Sequence, residues 1–154
     1  PEHPDARGFG RPHHGVRGVG YSLTRASRFS QITDYGTTAD AEICLLVQVE
    51  NRRGIANLDE ILAVDGIDGV FIGPADLAAD MGFGNNVAAP EVQTTIDSAL
   101  LRIRAASKTA GILTSDGNLA RHYIDIGANF VGIGNDVAVL VNALAALRRN
   151  FKTD

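Results

Sequence analysis

Apolar positions along this chain follow two rhythms. Short continuous runs, Ile43 to Val49, Gly69 to Ile72, Lys108 to Leu113 and Phe130 to Gly134, predict strands, the first of them covered on both faces. Between these runs the apolar residues recur at helical spacing. Leu58, Ile61, Leu62 and Val64 share one side of a stretch from Asn57 to Val64, with Asn57 as the expected N-cap and Gly66 as the stop. Pro90-Glu91 opens a longer helix to about Ala106, in which Val92, Ile96, Ala99, Leu100 and Ile103 form a stripe. Asn118 to Ile126 reads as a short helix stopped by Gly127. Asp136 to about Asn150 reads as a last helix with Leu140, Val141, Leu144 and Leu147 inward.

The alternation of strand and helix repeats four times. Repeated right-handed βα units build a parallel sheet. Four units make half of a (β/α)8 barrel, whose usual length is about 250 residues; a four-stranded doubly wound α/β sheet is the alternative. Residues 1 to 15 have no apolar period and are rich in Pro, Gly and His, which predicts an irregular arm ahead of a partial-barrel domain over residues 16 to 154. Val16 to Leu23 is a loop or brief strand, and Ala39 to Glu42 a short polar helix or turn. Gly82 to Pro90 is a loop that serves as a lid or as a plain connection.

Composition narrows the function classes. A net charge of −4 gives no electrostatic case for nucleic acid or an anionic membrane. No apolar run reaches the ~18 residues a membrane span needs. Cys44 is the single cysteine, so no intrachain disulfide is possible, which fits a reducing, cytoplasmic setting. Its place inside an apolar run predicts a buried, inert thiol. His13-His14 is a poor chelate, because neighbours in an extended chain point to opposite sides. Arg17, Arg25 and Arg28 would serve surface ion pairs, an anionic substrate or a neighbouring subunit. The chain begins at Pro1, so a processed start or an earlier segment is expected.

The candidate chemistry sits at two strand exits. The first run ends in Glu50, and the second in Gly73-Pro74-Ala75-Asp76. Neighbouring parallel strands lie roughly 5 Å apart, so the two exits converge. Two carboxylates there suit a hard divalent cation held by oxygen ligands and water. Gln48 shares the face of Glu50, two residues before it. Pro74 suits a helix start, and the free amides of Ala75 and Asp76 would hold a carboxylate. The plainer readings are an acid that only starts a loop, for Glu50, and one that only complements a helix N-terminus, for Asp76.

Leu46-Val47-Gln48-Val49-Glu50, followed by Gly69-Val70-Phe71-Ile72-Gly73-Pro74-Ala75-Asp76-Leu77, closely resembles the HpcH/HpaI aldolase family. Supporting pieces are Gly15-Val16-Arg17-Gly18, Ala26-Ser27-Arg28, Asp80-Met81-Gly82, Pro90-Glu91-Val92 and Gly111-Ile112-Leu113, and the resemblance runs from about Gly15 to Asn150. These are metal-dependent (class II) pyruvate aldolases, which include 4-hydroxy-2-oxoheptane-1,7-dioate aldolase and 2-keto-3-deoxy sugar-acid aldolases.

The resemblance implies the C-terminal half of a (β/α)8 barrel. It implies a divalent metal (Mg²⁺, Mn²⁺ or Co²⁺) on Glu50 and Asp76, and pyruvate held by Gln48 and the backbone of Ala75 and Asp76. Leu113 would line the aldehyde pocket. It further implies retro-aldol cleavage of a 4-hydroxy-2-oxo acid to pyruvate and an aldehyde, in a homo-oligomer, often a hexamer. The family's catalytic His and enolate-stabilising Arg come from earlier strands; no residue of this chain matches them, and His3, His13 and His14 take no such role. The alternatives are a non-catalytic half-barrel acting through another chain, and a phosphate-binding half using the Gly132 to Asp136 turn.

Overall fold

The structure, a computed structural model, describes residues 20 to 151. The chain divides into two units that meet at Cys44 and Leu45. The predicted arm over residues 1 to 15 lies outside the described residues.

In the first unit, a 3-10 turn at Tyr21–Leu23 precedes α1, Tyr35–Glu42. Ser27 is fully buried, and its hydroxyl donates to the Tyr21 carbonyl (2.5 Å) while accepting from the Ser30 amide (3.1 Å). Those bonds hold a turn in which Arg28, Phe29 and Ser30 all take the left-handed conformation, with φ of 50°, 55° and 68°. Gly36 lies against Tyr21 so closely that a Cβ there would stand 2.6 Å from the Tyr21 hydroxyl.

The second unit holds β1 (Leu46–Val49), α2 (Arg52–Ala56), α3 (Leu58–Leu62), β2 (Gly69–Ile72), α4 (Pro74–Asp80) and α5 (Pro90–Ala105). β3 (Thr109–Leu113), α6 (Gly117–Asp125), β4 (Phe130–Gly132) and α7 (Asp136–Phe151) follow. The sheet order is β1-β2-β3-β4, every pair parallel, with Gln48 opposite Phe71, Phe71 opposite Gly111 and Gly111 opposite Phe130. A sequential order with right-handed crossovers keeps the helices on one face. A doubly wound sheet would reverse its order part-way, so this is the winding of half a barrel.

Alternation along the strands separates two faces. Val49, Val70, Ile72, Ala110 and Ile112 point to the helices and form one core with Leu58, Leu77, Val92, Ile96, Leu100, Ile103 and Tyr123. The opposite face is open: Gln48 is exposed and Phe130 is 52% exposed. Phe71 and Phe130 meet edge-on above Gly111, with ring centroids 5.9 Å apart.

Several expectations are corrected. Cys44 is exposed, because it precedes the first paired residue, Leu46, and lies outside the ladder. The helix expected over Asn57 to Val64 is α3 alone, and an additional short helix, α2, precedes it. Asn51 caps α2 by accepting from the Gly54 amide (2.7 Å), whereas Asn57 makes no side-chain cap and joins α2 to α3. Val64 lies past the end of α3 and is 49% exposed. Leu140, Val141, Leu144 and Leu147, expected inward, are 56–60% exposed, and α7 holds no buried residue. Residues 82 to 90 form a packed connection: Phe83 and Val87 rest on the core, and the Phe83 amide donates to Ala78 (2.8 Å).

Candidate functional site

The site grows from the C-terminal ends of β1 and β2. Val49 is buried, and its carbonyl accepts from the Gly73 amide (3.0 Å), extending the ladder by one step. That bond sets the two exits side by side. Gln48 and Glu50 then stand on the open face, and Gln48 Nε2 donates to Glu50 Oε2 at 2.7 Å. Gly73 presses against the pair. A Cβ at Gly73 would lie 2.6 Å from Gln48 Nε2 and 2.9 Å from Glu50 Oε2, so a side chain would displace both. The glycine is needed here for close approach and not for its dihedrals, since its φ is −91°.

Asp76 enters from the first turn of α4, which Pro74 opens. Leu77 and Ala78 bury the inner side of that helix, leaving Ala75, Asp76, Ala79 and Asp80 exposed. The amides of Ala75 and Asp76 belong to the first turn, where backbone donors lack intrahelical acceptors. Leu113, 40% exposed, ends β3 on the open face and lies over Gly132.

The ion pairs found among the described residues are Arg52–Asp80, Arg102–Asp59 and His122–Asp97. Glu50 and Asp76 join none of them. Glu50 is half-buried and Asp76 exposed, and carboxylates are hard oxygen donors of the kind divalent cations take. Among the described residues no three His, Cys, Asp or Glu side chains gather into a group that could hold a metal ion. No described helix is long and apolar enough to cross a membrane.

Two features went unread in the sequence. Asp80 closes α4 and takes two hydrogen bonds from Arg52, from its backbone N–H (2.8 Å) and from Nε (3.0 Å), both on Oδ2. Those bonds hold the Asp80 carboxyl below its ordinary pKa. Asp80 follows Asp76 by four residues and Arg52 follows Glu50 by two, but no local pattern joins positions 52 and 80. Tyr123 is buried with its hydroxyl donating to Gln93 (3.0 Å), and burial raises its pKa. Just past the Gly132 to Asp136 turn, the first amides of α7 are bonded locally, Ala138 N–H by Asn135 Oδ1 and Val137 N–H by Asp136 Oδ1, both at 2.8 Å.

Residues 6 to 143 match the family described as HpcH/HpaI aldolase/citrate lyase. The chain belongs to that family. Relatives within it include a hydroxypyruvate/pyruvate aldolase of Pseudomonas aeruginosa, 54% identical over 92% of this chain and 53% of its own length. A 4-hydroxy-2-oxo-heptane-1,7-dioate aldolase of Salmonella paratyphi B is 51% identical over 91% of this chain and 53% of its own. The crystal structure of an HpcH/HpaI aldolase/citrate lyase family protein from Burkholderia cenocepacia superposes with a TM-score of 0.82 at 34% identity. It covers 90% of this chain and 54% of that one. The chain thus spans about half the length of the HpcH/HpaI relatives it matches, and its sheet is the half-barrel counterpart of theirs.

Proposed function

We propose that this chain carries the metal-binding and pyruvate-holding part of a carbon–carbon lyase, a class II pyruvate aldolase that cleaves a 4-hydroxy-2-oxo acid to pyruvate and an aldehyde. The observation that carries the reading is the packing of Gly73 against the Gln48–Glu50 pair, with Asp76 in the helix turn that follows and neither acid in an ion pair among the described residues. Relatives named as aldolases at 51–54% identity support it.

Glu50 and Asp76 would hold Mg²⁺, Mn²⁺ or Co²⁺, with water and substrate oxygens filling the other positions. When bound, such an ion supplies Lewis-acid polarisation of a 2-oxo acid. The chain's own part is placement. Gln48 steadies the Glu50 carboxylate through its 2.7 Å bond and faces the 2-oxo acid. The first-turn amides of Ala75 and Asp76 orient the substrate carboxylate. Leu113 shapes the aldehyde end. No residue here is assigned the proton transfer, and none the enolate-stabilising role.

The test is pyruvate release by the purified chain with Mn²⁺ or Mg²⁺ and a 4-hydroxy-2-oxo acid. Metal-dependent release that disappears in Asp76→Asn is the expected result. Mn²⁺ affinity left unchanged by Glu50→Gln would sink the metal assignment. A second reading, action through association with another chain, is favoured by the exposed apolar residues of α7 and of the open sheet face. Sedimentation decides it, since a monomer that binds no hydrophobic dye would exclude association through those surfaces.

A further inference from the structure

Glu50 lies on a short backbone span tied down at both ends by the same neighbour. On its N-terminal side, the Val49 carbonyl accepts from Gly73, at the entrance to α4. On its C-terminal side, the Arg52 amide donates to Asp80, at the end of α4. Only Asn51 separates Glu50 from that second bond, and it is extended (φ −152°, ψ 163°) with its side chain capping α2. Asp76 lies on α4 between the two ties, one turn before Asp80 and on the same face. The distance from Glu50 to Asp76 is therefore governed by a closed loop of hydrogen bonds, in which Asp80 is the one link made by a side chain to the backbone.

We infer that Asp80 is a positioning residue for the metal site: by accepting the Arg52 amide it fixes the Glu50 carboxylate relative to Asp76. This rests on the reading of Glu50 and Asp76 as metal ligands. The backbone amide is the operative partner. The Arg52 side chain is 71% exposed and adds a bond to an oxygen that the amide already occupies. Asp80 acts through geometry and not as a remote negative charge, which separates the variants. Asp80→Ala removes the acceptor and the charge. Asp80→Asn removes the charge and keeps an oxygen that can accept. Arg52→Ala keeps the amide.

The experiment titrates the metal-free full chain with Mn²⁺, read by electron paramagnetic resonance of the free ion, and measures amide hydrogen exchange without metal. Asp80→Ala should weaken Mn²⁺ binding about tenfold, the scale typical of groups that orient ligands. It should also speed exchange at residues 50 to 54 while leaving Ala110 to Ile112 unchanged. Asp80→Asn should recover most of the affinity, and Arg52→Ala should bind within about twofold of the parent. Unchanged affinity in Asp80→Ala, with Glu50→Gln weakened, overturns the inference and leaves the metal assignment standing. Asp80→Asn as weak as Asp80→Ala also overturns it, in favour of plain charge. Glu50→Gln without effect overturns both.

Discussion

Gly73 is the residue on which the candidate site turns. Its φ is accessible to any amino acid, so the demand for glycine comes from its neighbours alone. Gly73→Ala would push a methyl group into Gln48 and Glu50, and overpacking of that kind costs about 1–3 kcal/mol. The expected outcome is a lower denaturation midpoint together with weaker Mn²⁺ binding, because the displaced atoms include a proposed ligand. A variant that keeps both properties would show that the pair can move aside freely. The sequence displayed this glycine in a suggestive motif, and the motif placed it beside the right strand exit. That the pressure falls on Gln48 and Glu50 together is a property of the β1–β2 register, which offsets by one residue would abolish.

At the scale of elements, the corrected helix boundary carries its own prediction. Asn51, two residues past the β1 strand, caps α2, and Asn51→Ala should cost about 1 kcal/mol by removing an acceptor from the Gly54 amide. Asn57→Ala should cost much less, since Asn57 makes no side-chain cap; equal losses by urea denaturation would contradict the assignment. The Arg52–Asp80 tie between α2 and α4 has a defined pH response. Its carboxyl is held low in the folded chain, so the tie contributes fully above the unfolded carboxylate pKa of about 3.9. That contribution is lost as pH falls through the lowered folded value. Side-chain carboxyl chemical shifts should show Asp80 titrating below the exposed, unpaired acids of the chain. A midpoint at or above about 3.9 would mean that the tie does not hold in solution. The same hydrogen-bonded contact was invisible along the sequence, because it joins positions 52 and 80 through folding and not through any local pattern.

At the scale of the whole molecule, burial is one-sided. The helix-covered face of the sheet is closed: Val70, Ile72, Ile112, Ile96 and Leu100 have no measurable exposure. Leu100→Ala should therefore cost about 2–5 kcal/mol. Leu144→Ala on α7, where Leu144 is 56% exposed, should change the stability of this chain far less. If the two substitutions cost the same in denaturant titrations, α7 is packed in solution against something, another copy included, and sedimentation of the parent chain would show it. The stripe on α7 was visible in the sequence as an amphipathic pattern, yet a pattern says only that a face prefers burial. It does not say where the partner comes from.

What the sequence determined by itself was local and periodic. Strand runs, the α5 stripe from Val92 to Ile103, the Pro and Gly punctuation and the half-barrel order were all legible, because each depends on spacing within a few residues or on the succession of elements. The two carboxylates at strand exits were legible for the same reason. Tertiary structure decided what depends on distant segments. It set the exposure of Cys44 and the short helix α2 ahead of the predicted one. It also brought Arg52 to Asp80 and Gly73 to the Gln48–Glu50 pair. Those outcomes follow from register and close packing, which fix positions to fractions of an ångström and which no stretch of sequence encodes alone.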